Sequence, residues 1–228
     1  MNYKKIKKAI FHRRLNRFVA EVYLDEQIEK VHVKNTGRLK ELLLPNAEVL
    51  LEESDQPNRK TKFSLIAAKK GNLWVNIDSQ APNTVAYEAI SGGEIAEIRN
   101  LRQLKKEVKY GDSRFDLYFE TEQEKGFVEV KGVTLEKDGV AMFPDAPTAR
   151  GTKHVWELAK AVSEGYKGII LFIIQLEGCR YFTPNSETDP SFTDALVQAS
   201  KQGVRILAYE THVDEHQMSI GKQIPVIL

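Results

Sequence analysis

Asp116, Glu129 and Lys131 are the residues whose types and spacing point to a reaction. They lie in Ser113 to Val133, SRFDLYFETEQEKGFVEVKGV, which reads as two strands. In the first, Phe115, Leu117 and Phe119 alternate with Arg114, Asp116 and Tyr118; in the second, Val128 and Val130 alternate with Glu129 and Lys131. That period of two marks half-buried strands. An antiparallel hairpin with a polar loop around Thr121 to Glu124 sets Asp116 opposite Glu129 and puts both apolar sets on one side. Opposed Cβ atoms in such a pair are about 5 Å apart, so the two carboxylates repel unless a cation or a shared proton intervenes. Hard oxygen ligands with open positions suit Mg²⁺ or Mn²⁺, and Lys131, on the same face, is placed to orient or help deprotonate an attacking water. A metal-dependent phosphodiesterase needs that set of groups. The bare spacing is nonetheless common, and charges on a strand's outer face are usually only solvated. A second E-V-K, Glu107-Val108-Lys109, lies in a preceding strand at Leu104 to Tyr110. It lacks an equally well-placed acidic strand before it, so the Asp116, Glu129, Lys131 set is preferred.

The elements that must hold this hairpin follow from the flanking sequence. Ala81-Pro82-Asn83 marks a boundary, Thr84 to Ile90 reads as a helix capped by Asn83, and Ser91-Gly92-Gly93 ends it before a short helix over Glu94 to Asn100. Glu88 on the first of these helices is a further candidate ligand for the metal. After the hairpin, Phe143-Pro144-Asp145 and Pro147 mark a loop. The next helix has Val155, Leu158, Ala159 and Val162 on one face and stops at Gly165. Its start carries Thr148, Arg150, Lys153 and His154, where free N–H groups favour an anion such as phosphate. GIILFIIQ, Gly168 to Gln175, is the continuous apolar run of a strand buried on both faces. Tyr181 to Thr183 is a short strand, Asp189-Pro190 starts a helix that Gly203 ends, and Val204 to Tyr209 is the last strand. Strands and helices in this order make an α/β arrangement with a mixed sheet. His212 and His216, with Asp214 between them, fit a metal only if helical and otherwise form an exposed tail.

Residues before the boundary read differently. Phe18 to Leu24, Val31 to Val33, Glu48 to Glu52, Phe63 to Lys69 and Leu73 to Ile77 are five short strands, which suggests a small barrel of the OB type over residues 1–81, with the α/β domain over 82–228. Three basic clusters fall at or between the strands: Arg13, Arg14 and Arg17; Lys34 and Arg38; and Arg59, Lys60 and Lys62. On one face they would form a phosphate-binding groove with Trp74 or Phe63 as stacking partners, although Trp74 inside LWVNI fits the core better. Residues 1–80 hold 16 Lys and Arg against 10 Asp and Glu, a net of +6, and residues 81–228 a net of −5, within an overall charge of +1. A basic first part and an acidic second part fit a nucleic-acid protein whose second domain binds cations.

Several longer motifs carry a resemblance. RLNRF at 14–18, HVKNTGRLKELLLP at 32–45, RKTKF at 59–63, VKYGDSRFD at 108–116, VEVKGVTL at 128–135, FPDAPTARGTKHVWEL at 143–158 and TDPSF at 188–192 resemble the sugar fermentation stimulation protein A family, in order and over nearly the whole chain. The resemblance implies an OB-like N-terminal domain, a C-terminal domain similar to the PD-(D/E)xK nuclease fold, DNA binding and a regulatory link to maltose or sugar utilisation. It places the first acid at Asp116, the second at Glu129 and the lysine at Lys131, with Gln175, Arg150 and His154 as secondary candidates. The acid in SRFD is not preceded by proline, a departure from the nominal P-D pair.

Other classes find less support. Cys179 is the only cysteine, so no internal disulfide forms, and the absence of a Cys/His cluster fits a reducing cytoplasm. The basic start MNYKKIKKAI lacks the apolar run of a signal peptide, and the longest such run, Ile169 to Ile174, is too short to span a membrane. No glycine-rich nucleotide loop or Ser/Cys triad supports a metabolic or sugar-binding enzyme. Two readings stand beside each other: a DNA-binding phosphodiesterase using Mg²⁺ or Mn²⁺, and a DNA-binding regulator that does not cut. A homodimer suits a DNA binder, although no coiled-coil seam is visible.

Overall fold

A computed structural model describes residues 1–56 and 58–228. Six strands open the chain: β1 (Ile6–Arg14), β2 (Val19–Leu24), β3 (Gln27–Val33), β4 (Glu48–Glu53), β5 (Phe63–Lys70) and β6 (Leu73–Asn76). They run β3-β2-β1-β4-β5-β6, and a parallel pairing of β3 with β5 closes the first five into a barrel. The OB-like barrel expected from the sequence is therefore present. Its first strand, IKKAIFHRR, is new: the basic start of the chain is a barrel strand in which Ala9 and Phe11 point into the core while lysines face water. Phe63 is buried in the barrel, and Trp74 is half-buried against Tyr3 and Ile66 with the Lys69 ammonium 5.5 Å from its ring centroid.

The second domain is α/β, built on the mixed sheet β15-β14-β12-β9-β8-β7. Its strands are β7 (Gln103–Tyr110), β8 (Ser113–Glu120), β9 (Lys125–Val133), β12 (Lys167–Ile174), β14 (Arg205–Val213) and β15 (Met218–Gln223). The short strands β10 (Leu135–Lys137), β11 (Val140–Phe143) and β13 (Tyr181–Pro184) form a separate three-stranded sheet. β12 lies parallel to both β9 and β14, and every residue from Gly168 to Ile174 is buried. Parallel neighbours need crossovers, supplied by α2 (Ala149–Ser163) and α3 (Pro190–Lys201), while α1 (Ala81–Ser91) packs on the opposite face with Leu117, Val128, Leu171 and Ile173. Among the described residues no helix is long and apolar enough to cross a membrane.

Several expected elements differ. The first helix begins at Ala81 with Gln80 at its N-cap, because Pro82 suits the first turn; Asn83 therefore lies inside the helix rather than capping it, and its side-chain amide donates to Asp116. Glu94 to Asn100 is a chain of turns, and its apolar residues Ile95 and Ile98 are buried in the core cluster that α1 also joins. β10 and β15 are short and largely polar, β11 is a four-residue apolar run, VAMF, and no alternation in the sequence announces them. His212 stands in β14 and pairs with Glu177, while Asp214 accepts the backbone N–H groups of His216 and Gln217 in the β14–β15 turn. These residues form a hairpin, not a helix or a free tail.

The domains are fused through one apolar core that runs from Phe11 and Leu65 in the barrel to Phe172 and Phe192 in the sheet domain. Residues 1–3 leave the barrel and dock on the other domain, where Tyr3 donates its N–H to the His216 carbonyl. Gln175 closes the junction: its Nε2 donates to Asn76 O and Oδ1 at 3.0 Å and to Asp78 O at 3.3 Å. Removing that amide strands buried carbonyls, each costing about 1–3 kcal/mol. We expect Gln175→Ala to lower stability by about 2–3 kcal/mol in urea unfolding, with barrel and sheet still melting in one transition because the core is shared.

Candidate metal and phosphate site

The predicted hairpin register is the observed one. Leu117 pairs with Val128 and Phe119 with Gly126, a ladder whose next rung is Asp116 with Glu129. The ladder stops before that rung. On the other side β7 pairs Lys106 with Leu117 and Val108 with Phe115, skipping Glu107 and Asp116. Glu107 takes φ 55°, a left-handed conformation that a β-strand residue adopts only under strain. The interruption reverses the strand faces. Phe115 packs with Phe127 under α2, whereas Leu117 and Phe119 pack against α1, so the three do not share the single side that strict alternation predicts.

Freed from both ladders, Asp116 becomes an acceptor for its surroundings. Its Oδ2 takes the Val130 N–H at 2.8 Å and its Oδ1 takes the Asn83 amide at 2.8 Å. Burial, followed by the charge of Glu129, pushes its carboxyl up to about 6. Glu129 lies deeper, at 3% exposure. One of its oxygens, Oε1, receives both Lys131 Nζ at 2.6 Å and His154 Nδ1 from α2; a carboxylate can only accept, so that ring nitrogen carries a proton. Burial opposes the charge on Glu129, but the hydrogen bonds and charges of His154 and Lys131 outweigh it and hold the carboxyl below its ordinary range. Its other oxygen, Oε2, is buried with no partner.

These groups line one cavity with Glu107, Arg114, Thr148, Arg150 and Gly151. Thr148 caps α2 by accepting the Gly151 N–H at 3.0 Å, and no acidic residue occupies the first turn, so the positive end of the helix faces the cavity. Glu107, set aside in the sequence as a chance repeat, belongs to the cavity; the left-handed residue that brings it there has no sequence signature. Arg114 is a second lining residue that the sequence reading leaves out, although its place two residues before Asp116 on an alternating strand is the available clue.

Other predicted site residues lie elsewhere. Gln175 is at the domain junction, and Glu88 binds the N-terminal amine of Met1 on an exposed stretch of α1. Lys153 faces Glu157 along α2 instead of lining the cavity. Among the described residues no group of three or more His, Cys, Asp or Glu is gathered to hold a metal by side chains alone. Two carboxylates with an orphaned buried oxygen still fit a magnesium-like ion, which is commonly held by one or two carboxylates plus water and phosphate oxygens.

The basic clusters of the barrel split. Arg13, Arg14, Arg17 and Arg38 line a second concavity, and Arg59, Lys60 and Lys62 do not. Arg14 is consumed as a clasp, donating to the carbonyls of Arg17, Asn35, Gly37 and Arg38 at 2.6–3.0 Å. Lys34 is paired with the fully buried Asp78 at 2.9 Å, Lys62 with Glu53, and Arg59 donates to Ser64. Lys60 is exposed.

Comparison with known proteins places these features in context. Residues 13–77 match the profile described as SfsA N-terminal OB domain, and residues 80–217 that of the Sugar fermentation stimulation protein RE domain. A sugar fermentation stimulation protein homolog of Alkaliphilus oremlandii is 52% identical, the alignment covering 99% of this chain and 98% of the relative. One from Desulfitobacterium hafniense is 50% identical over 100% and 99% of the two chains. A solved structure, Pyrococcus furiosus SfsA in complex with Ca²⁺, superposes with a TM-score of 0.92 at 30% identity, covering 100% of this chain and 98% of that one.

The raised carboxyl of Asp116 has a measurable consequence. Between the ordinary 3.8 and about 6 the folded protein binds a proton that the unfolded chain has lost. Stability therefore falls as pH rises through that window, and the cost is complete above it. A displacement of about two units corresponds to roughly 3 kcal/mol. Asp116→Asn keeps both hydrogen bonds once the Asn83 amide turns over. In metal-free buffer the variant should be about 2–3 kcal/mol more stable than the wild type at pH 7.5 and equal to it at about pH 3.5, read by urea unfolding.

Proposed function

The chain belongs to the sugar fermentation stimulation protein family, and from that premise and the geometry of the carboxylate cavity we propose that it binds DNA and hydrolyses phosphodiester bonds with a Mg²⁺ or Mn²⁺ ion held by Asp116 and Glu129. The observation that carries this reading is the buried, unpartnered Oε2 of Glu129. An isolated buried carboxylate oxygen is costly, and a cation at the cavity satisfies it. The Ca²⁺ complex of the Pyrococcus furiosus relative supports a divalent ion in this fold.

The residues have separable tasks. His154 and Lys131 saturate Oε1 of Glu129, which leaves Oε2 as the oxygen free to ligate. Val130 and Asn83 fix the Asp116 carboxylate. A bound divalent ion supplies charge neutralisation at the phosphate and a more acidic water. Lys131, largely shielded from solvent, presents an ammonium where negative charge develops on the phosphoryl oxygens. Arg114, Arg150 and the open N–H groups at the start of α2 receive the non-reacting phosphate oxygens, and the arginine fork does so in bidentate fashion. A regulator that binds DNA without cutting is the second reading, supported by the exposed arginines of the barrel, which lie outside the carboxylate cavity.

Two measurements test the proposal. Mn²⁺ titrated calorimetrically into the wild type should bind at one site that Glu129→Gln abolishes, and added Mg²⁺ should return to the wild type most of the stability that Asp116 costs while leaving Asp116→Asn unchanged. With Mg²⁺, DNA cleavage should fall by about 10²-fold or more in Glu129→Gln and Lys131→Ala. Metal binding without any cleavage by the wild type would favour the regulator; absence of metal binding would remove the phosphodiesterase reading.

A further inference from the structure

TDPSF, at 188–192, is one of the motifs that carry the family resemblance, yet no residue of it lines the carboxylate cavity. Together with Asn185 it grips the loop that leads into α2. Asn185 donates its N–H to the Phe143 carbonyl at 2.8 Å and its side-chain amide to the Pro144 carbonyl at 3.0 Å. Four residues further on, the buried Asp189 holds the other end of that loop. Its Oδ2 accepts the Thr148 N–H at 2.7 Å, and its Oδ1 accepts the Phe192 N–H at 2.9 Å as the cap of α3. One carboxylate thus sits between the positive ends of two helices, which both favour its charge. A cap for α3 alone needs a single acceptor, and Ser or Asn supplies one as well as Asp does. The second oxygen is what a carboxylate adds here.

That second oxygen decides which groups of α2 stay open. An α-helix starts with four N–H groups that none of its own carbonyls can satisfy. In α2 they belong to Thr148, Ala149, Arg150 and Gly151. The Thr148 N–H is taken by Asp189, and the Gly151 N–H by Thr148 Oγ1 at 3.0 Å. Ala149 and Arg150 keep theirs for a ligand. Two adjacent N–H groups at a positive helix end suit one phosphate, and Thr148, Arg150 and Gly151 all line the cavity of Asp116 and Glu129. Gly151 shows how closely this turn is built. A Cβ there would lie 2.8 Å from Thr148 Oγ1 and 3.4 Å from Phe192 Cε2, so the turn rests on Thr148 on one side and on Phe192 on the other. Asp189 binds the backbone of both.

We propose that Asp189 is a positioning residue for the phosphate, an inference that rests on the phosphodiesterase reading above. By taking the Thr148 N–H it fixes the start of α2 and leaves the Ala149 and Arg150 N–H groups to one phosphate of the substrate. It touches neither the phosphate nor the metal.

Substitution separates the two tasks of the carboxylate. Asp189→Ser and Asp189→Asn both retain a cap for α3. Serine is too short to serve Thr148 as well, and asparagine has one acceptor oxygen for two donors. Inorganic phosphate titrated calorimetrically into the full chain, with Mg²⁺ present, should bind both variants about tenfold more weakly than the wild type, and Arg150→Ala should lose a similar factor. Mn²⁺ titrated alone should bind both Asp189 variants as it binds the wild type. Unchanged phosphate affinity in either Asp189 variant, with Arg150→Ala weakened, would overturn the inference and leave the phosphodiesterase reading intact. Joint loss of Mn²⁺ and phosphate binding in the variants would also overturn it, since Asp189 would then support the whole cavity and not the start of α2. Absence of saturable phosphate binding by the wild type would remove the phosphate role of α2 and the inference with it, whether or not Mn²⁺ binds.

Discussion

A carboxylate buried in the middle of a sheet constrains everything around it. Glu129 sits on β9, flanked by β8 and β12, where water cannot solvate its charge. Left alone it would take up a proton or force the strand apart. Lys131 comes from the same strand two residues on, which period two places on the same face. His154 must come from above, and the parallel pairing of β9 with β12 guarantees a crossover helix there. The topology that builds the sheet thus also brings the histidine to the glutamate. Both donors choose one oxygen, so the buried charge is stabilised asymmetrically and the other oxygen is left without a partner.

How much of this is readable in the sequence depends on how local the cause is. The alternation in Ser113 to Val133 yields the hairpin and the register that brings Asp116 beside Glu129, because a slip of one residue would carry Leu117, Phe119 and Val128 off the face they share against α1. The continuous apolar run to Ile174 identifies the central strand, and Thr148 and Asp189 stand where caps belong. The break at Glu107 is not readable. A left-handed glutamate arises from the conflict between two ladders and has no residue signature, yet it decides that Asp116 turns out of the hairpin and that Phe115 changes face. Gln175 misleads for a similar reason. Ending a buried strand places it at the sheet's C-terminal edge, where sites are common, but its amide is committed to the barrel carbonyls by contacts 97 to 99 residues away in sequence.

Counting cations overstates the binding surface. The sequence offers arginines and lysines as equals, whereas the structure sorts them by what they touch. Arg14 replaces missing backbone donors in an irregular loop, and its burial and the nearby Arg17 lower its affinity for a proton without freeing it for a ligand. Lys34 answers a fully buried aspartate; removing it would leave Asp78 uncompensated, the costly case for a buried pair. Arg13 leans on Glu21. What stays exposed at the rim of the second concavity, Arg17 and Arg38, is a smaller and more directional feature than the basic surplus of the first 80 residues implies.

The shared core gives the two sites their relation. Were the barrel joined to the sheet domain by a linker, a ligand held on one would reach the other only at the cost of closing a flexible loop. Here Phe11 of the barrel belongs to the same packed cluster as Phe172 and Phe192, and Gln175 locks the seam with three donated hydrogen bonds. Packed interiors deform little, so the distance from the second concavity to the carboxylate cavity is set on folding and not on binding.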